Sequence, residues 1–340
     1  MKRIGRLALL AVAATLFAAS IGTARADTKV RFSLDWIPGS VHSPFFIAYY
    51  KGYYKAEGLD VVIDRGKGTV GLIQQLAAGV YDMGYPDISV LTDFDSKNPD
   101  KGFPELMMGY EQAPAGVVFL KTSNIKEPRQ LEGKILGASA NDAGFRLFPT
   151  FAAHSGIDMN KVKIQFIDPK LRETLLAKKQ VDAIIGQIFN TTLELKAKGV
   201  DPKDVGSFLY RDHGLDLYGN GIAASPQFLK EHPDAVKGFI RATIKGFQDM
   251  VKNPEEAVQM TLKYEPLLNA GIERDRLKLA MECCMVTPNV RKNGVGDVDK
   301  ARLAGAIDIL VKGFGLPSTP KPDAIFNSAY LPPEKDRMVK

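Results

Sequence analysis

Residues 33–61 read SLDWIPGSVHSPFFIAYYKGYYKAEGLDV, and the elements around this stretch set the architecture. On its N-terminal side Val30, Phe32 and Leu34 recur with period two, the pattern of a strand with one face in a core. Ser43 followed by Pro44 has the form of an N-cap ahead of a first-turn proline, so a helix opens there, runs through Lys51 and ends at Gly52. LDVVID then reads as a second strand. Strands separated by helices of this length argue for a parallel sheet. The loop carrying Asp35, Trp36 and His42 lies after the first strand, where open parallel sheets bind their ligands. Tyr49, Tyr50, Tyr53 and Tyr54 are expected to pack the helix face and its exit.

The alternation continues through the helix TVGLIQQLAAG, the short strand YDMGYP and the helix DISVLTDFD. It breaks at PELMMGYEQAPAGVVFLKTS, where two strand-like runs flank Ala113–Gly116 with no helix between them, as expected where a chain crosses into a second domain. Strands GKILGASA, KVKIQFID and VDAIIG then alternate with helices, and SFLYRDHG and LYGNGIAAS form a second such pair, the return crossing. From Pro226 the chain is mostly helical, and no fixed repeat of 20 to 50 residues is present. The expected fold class is α/β with two lobes. Residues 27–113 and 217–340 form lobe 1, and 114–216 form an inserted lobe 2. Each lobe is a mostly parallel sheet flanked by helices, and two crossing strands make the hinge.

Residues 1–26 carry a basic start (Lys2, Arg3, Arg6), an apolar run and the small-x-small triplet Ala24-Arg25-Ala26, the signature of a secretory signal peptide. The mature chain is expected to begin at Asp27 and to be soluble and periplasmic, since no further uncharged apolar run is long enough to span a bilayer. The formal charge of the 340-residue chain is +6, and losing Lys2, Arg3, Arg6 and Arg25 lowers it to +2. A near-neutral chain without a basic stripe has no footprint for nucleic acid. The two cysteines, Cys283 and Cys284, are adjacent, and a bond between neighbours is unfavourable, so they are expected to be two thiols on a helix.

Three more strand-to-helix turns match the character of the first loop: GKGTV at 66–70, YPDIS at 85–89 and SANDAG at 139–144. Each offers free backbone N–H groups at a helix start to a polar ligand. Trp36 suits stacking on a flat, partly polar molecule, and His42 and Asp87 are expected to orient its polar edges. Asn141 is expected to close from the other lobe. No HExxH, GxSxG, GxxxxGK[ST] or dinucleotide-binding pattern is present, so binding without chemistry, with no cofactor and no metal, is the simpler expectation.

The runs LDWIPGSVHSPFFIAYYKGYYKAEGLDV, QQLAAGVYDMGYPDISVL and SPQFLKEHPDAVKGFIRA together resemble the periplasmic solute-binding proteins that include receptors for thiamine-pyrimidine precursors, alkanesulfonates and nitrate. The resemblance implies a type II periplasmic-binding-protein fold, a monomer, and an ABC permease of the inner membrane as partner. It also implies ligand-binding roles for Trp36, His42, Gly68, Thr69, Asp87, Asn141 and Asp142, and for Phe189 and Asn190 in GQIFNTTLE, where Thr191 and Thr192 replace the Tyr-Glu of pyrimidine-precursor receptors. The solute it implies is small, flat and aromatic or heteroaromatic. Two alternatives stand beside it. One is an alkanesulfonate or other small anion, disfavoured by Asp35, Asp87 and Asp142 unless a basic residue such as Arg146 turns inward. The other is an enzyme of the pyrimidine-synthesis type.

Overall fold

The computed structural model describes residues 27–339; the signal segment assigned to residues 1–26 lies outside them. Strand β1 (Thr28–Ser33) buries Val30 and Phe32 and exposes Lys29 and Arg31, as the alternation requires. It pairs in parallel with β2 (Leu59–Asp64) on one side and β3 (Met83–Gly84) on the other. Beyond β3 comes β10 (Gly221–Ala224), antiparallel both to β3 and to β4 (Glu105–Met108), giving the order β2-β1-β3-β10-β4.

The second sheet repeats this plan with β5 (Ala115–Leu120), β6 (Ile135–Ala138), β7 (Lys163–Phe166), β8 (Ala183–Gln187) and β9 (Val205–Leu209), in the order β7-β6-β8-β5-β9. Here β5 is the antiparallel strand, set between β8 and β9. In each sheet the one reversed strand is the first strand after a crossing. A chain arriving from the other sheet comes from the ligand-facing end and therefore runs against its neighbours. The crossing segments 109–114 and 210–220 hydrogen-bond to each other: Tyr110 N–H donates to Asn220 O at 2.9 Å, Gly219 N–H to Tyr110 O at 3.0 Å and Ala113 N–H to Leu217 O at 2.9 Å.

The opening aromatic stretch is core rather than cleft over most of its length. Phe46 stacks on Tyr264, and Tyr54 stacks on Phe239 and shares a hydrogen bond with Thr243. Tyr53 donates to Asp249, and Tyr49 alone is exposed, at 45%. The helix Ser43–Tyr50 lies against the long helix Pro233–Lys252. Their closest approach is at Gly246, where a Cβ would stand 2.1 Å from the Pro44 carbonyl oxygen.

Two features differ from the sequence reading. The helix Lys300–Phe314 packs on both cores: Leu303 and Ile307 join Ile88 and Met108, whereas Ala306 and Leu310 join Phe148 and Phe151. The cysteines are not two thiols; Cys283 and Cys284 are joined in a disulfide. The expectation assumed regular helical geometry, in which neighbouring side chains diverge by about 100°, but Met281–Met285 is a π-helical turn.

Gly246→Ala should lower stability by about 1–3 kcal/mol through overpacking, read as a reduced midpoint in urea with an unchanged slope. An unchanged midpoint would show that the two helices separate freely there.

Candidate ligand-binding cleft

The first wall of the cleft is made by two loops locked backbone to backbone. Gly66 N–H donates to Trp36 O at 3.0 Å and Gly68 N–H to Asp35 O at 2.8 Å. A Cβ on Gly66 would lie 2.2 Å from the Asp35 carbonyl carbon, so only glycine permits this approach. Gly68 is constrained twice: its φ is +115°, and its missing Cβ would stand 2.6 Å from Asn141 of the second lobe. Gly68 and Asn141 therefore meet each other directly, at one of the points where the two lobes touch, with Asn141 O accepting from Val70 N–H at 3.4 Å.

A small polar chamber lies inside this contact. Asp35, Trp36 and Thr69 line it from the first lobe, Asp142, Arg172, Gln187 and Asn190 from the second, and Asn220 from the return crossing. Asp142 caps the helix Ala143–His154 by accepting from Gly144 N–H, and burial raises its pKa against the opposing pull of Arg172. The chamber continues outward into a cavity of about 260 Å³ that shares Trp36, Arg172 and Asn190 and adds Glu194 and Arg276.

Arg172 organises the second wall. It is 2% exposed, donates from Nη1 to Asp142 at 3.1 Å and to Ile185 O at 2.8 Å, and donates from Nε and Nη2 to Glu173 at 3.0 and 2.7 Å. Its guanidinium carbon stands 5.7 Å from the centre of the Trp36 ring, across the cleft. Further out Arg276 of the first lobe reaches Asn190 at 2.9 Å and Glu194 at 2.6 Å in the second. Glu273 holds Arg276 from behind while accepting from Ser40 N–H at 2.7 Å.

Four of the sequence-derived site residues, Trp36, Thr69, Asp142 and Asn190, come together in the chamber. Others lie elsewhere. His42 is buried behind Asp35: its Nδ1 accepts from Gly39 N–H at 3.3 Å, which leaves the proton on Nε2 for Asp35 at 2.9 Å. His42 thus orients Asp35 rather than a ligand. Asp87 caps the helix Ile88–Lys97, accepting from Ser89 and Val90 N–H, and Thr69 Oγ1 accepts its own N–H. Phe189 is wholly buried, edge-on to Tyr110 in the core of the first lobe. Arg146 does not turn inward; it is 44% exposed and pairs with Asp93 at 2.7 Å on the outer flank. The sequence reading missed Arg172 and Arg276, which belong to no motif, and Gln187 and Asn220, which stand in the runs GQIFNTTLE and LYGNGIAAS but were not singled out.

The model of the family described as NMT1/THI5 like matches residues 40–257. The chain belongs to that family. It is 27% identical to the riboflavin-binding protein of Chloroflexus aurantiacus, over 72% of this chain and 68% of that one. It is 26% identical to the formylaminopyrimidine-binding protein of Halalkalibacterium halodurans, over 85% and 88%. A 4-amino-5-hydroxymethyl-2-methylpyrimidine phosphate synthase of Legionella pneumophila is 24% identical over 72% and 76%. Among solved structures, the alkanesulfonate-binding protein of Xanthomonas axonopodis pv. citri superposes with a TM-score of 0.67 at 14% identity, covering 89% of this chain and 99% of that one. The nitrate-binding protein of Synechocystis PCC 6803 gives 0.67 at 13%, covering 89% and 87%. The fold is the type II periplasmic-binding-protein fold.

Burial raises the Asp87 carboxyl to about 7 despite the two backbone donors. Its unfolded value is near 3.8, so between these values the folded chain holds a proton that the unfolded chain has lost, and stability falls as pH rises. Asp87→Asn keeps the capping oxygen and removes the titration. The fall in melting temperature from pH 4.5 to 7.5 should be shallower in the variant by up to one proton's worth; equal slopes would place the titration elsewhere.

Proposed function

We propose that this chain is the periplasmic solute-binding component of an ABC importer, monomeric, and that it captures a flat heteroaromatic solute between its lobes for delivery to the permease. The observation that carries this reading is the pairing of one indole from the first lobe with one fixed guanidinium from the second, across a chamber rimmed by amide and carboxylate groups. Aromatic and guanidinium faces favour a planar π system, and the side chains around them supply both donors and acceptors to its edge. The binding proteins among its relatives support the same class.

Binding would work by population shift. A ligand touching both walls favours the closed arrangement by the difference in its affinity for the two states and no more. Closure itself aligns Arg276 with Asn190 and Glu194 and Arg146 with Asp93. An enzyme of the synthase kind draws on the same family, but both nitrogens of His42 are engaged within the protein, so that imidazole is not free to serve as its acid or base. A small bare anion is opposed by Asp35 and Asp142 in the inner chamber.

Trp36 is the only tryptophan, so intrinsic fluorescence reports the cleft directly. Titration with riboflavin and with formylaminopyrimidine should quench or shift the emission, and an alkanesulfonate should not. Trp36→Ala should weaken binding measured by calorimetry by about 1–2 kcal/mol, some five- to thirtyfold. Unchanged affinity in that variant would remove the stacking role, and a response to the sulfonate alone would favour the anion reading.

A further inference from the structure

The two compartments of the cleft carry opposite charge. In the inner chamber the ionisable groups are Asp35, Asp142 and Arg172, two acids against one base. In the outer cavity they are Lys170, Arg172, Lys198 and Arg276 against Glu173 and Glu194. Those two acids are already committed: Glu173 accepts twice from Arg172, and Glu194 accepts from Arg276. Lys170 and Lys198 make no side-chain hydrogen bond or ion pair among the described residues, and both line the cavity.

The outer compartment therefore holds two cations without partners, a charge that a neutral solute leaves uncompensated. Apart from Asn190, the rest of its wall is apolar, with Trp36, Ile37, Pro38, Pro169 and Leu268. Water reaches both lysines, so each contributes modestly and in a salt-dependent way. The inner chamber has the opposite need. Asp35 is held as an acceptor by the Nε2 proton of His42, and it asks for an N–H on the solute.

We infer that the solute is bipolar: a flat heteroaromatic head bearing N–H or amino donors enters first and lies between Trp36 and Arg172, and an anionic substituent on its tail remains in the outer cavity between Lys170 and Lys198. The anion is a phosphate, carboxylate or sulfonate attached to the ring by a short linker. Arg172 serves the head rather than the tail, because four of its N–H groups are taken by Glu173, Asp142 and Ile185 O. Arg172 and Trp36 stand in direct cation–π contact, with 5.7 Å from guanidinium carbon to ring centre, and the inner chamber holds only about 10 Å³, so the head enters between them only when the hinge opens the lobes beyond this arrangement.

This rests on the proposed receptor function and is tested separately from it by pairs of compounds that share a ring and differ in one anionic group. Riboflavin and flavin mononucleotide form one pair, pyridoxine and its 5′-phosphate a second, and 4-amino-5-hydroxymethyl-2-methylpyrimidine and its phosphate a third. Affinities are measured by calorimetry on the mature protein at low and high salt, with inorganic phosphate alone as a control.

The expected result is that the charged member of at least one pair binds roughly tenfold tighter at low salt. Raising the salt should shrink that ratio, and in the Lys170→Gln/Lys198→Gln double variant it should fall toward unity. Both lysines are exposed, so the variant should fold, which its circular dichroism checks. Tighter binding of the uncharged members, or a ratio that survives the double substitution, overturns the bipolar solute and leaves the receptor standing. Binding of inorganic phosphate as tight as that of the charged members overturns the ring's part in the site. No binding by any pair overturns both proposals.

Discussion

The cleft depends on one buried cation. A guanidinium as enclosed as that of Arg172 is tolerated only when its charge and nearly all its donors are matched, because an uncompensated buried charge is strongly destabilising. Here Glu173 neutralises it from the same helix, Asp142 from the cap of the preceding α-helix and the Ile185 carbonyl from β8. Three separate segments of the second lobe are thereby pinned at one point. Since the side chain cannot turn away without abandoning these partners, the plate it presents to Trp36 is a fixed feature of the lobe.

The first lobe meets this fixed wall with an equally constrained one. Gly66 and Gly68 allow the turn before the helix Thr69–Ala77 to press on the backbone of Asp35 and Trp36, so the indole is carried on a double layer of main chain. His42 acts from below to aim Asp35. Rigid walls on both sides leave the adaptation to the hinge. There the crossing segments lie side by side, and both contact the turn that carries the disulfide: Gln112 N–H and the Arg211 guanidinium donate to the carbonyls of Cys284 and Cys283. The helix Lys300–Phe314 spans both cores, so lobe motion is guided by a third connection that does not itself cross the cleft.

Much of this was legible before any coordinates. The alternation of Val30, Phe32 and Leu34, the Ser-Pro helix start and the break at Ala113–Gly116 each follow from local geometry, whereas the order of the strands within each sheet was not legible in it. Trp36, Thr69, Asp142 and Asn190 reached the cleft because they stand at strand ends or helix starts, positions that point toward the ligand-facing edge of any open α/β sheet. Phe189 and His42 stand at the same kind of position and point inward. One buries a ring against Tyr110, and the other supports Asp35. A loop position does not reveal which of its side chains face the cleft.

Arg172 and Arg276 mark the other limit. Each sits in an ordinary amphipathic helix, where an arginine reads as a solvated residue, and Arg276 finds Asn190 across 86 positions of chain. The sequence by itself determined the elements, their order along the chain and the strand ends and helix starts from which the cleft is built, because hydrophobic periodicity and capping act over a few residues. Only the tertiary structure decided which charges are buried, which loops touch across the lobes and which cations stay unpartnered. Those properties depend on distances between residues far apart in the chain, and no local pattern encodes them.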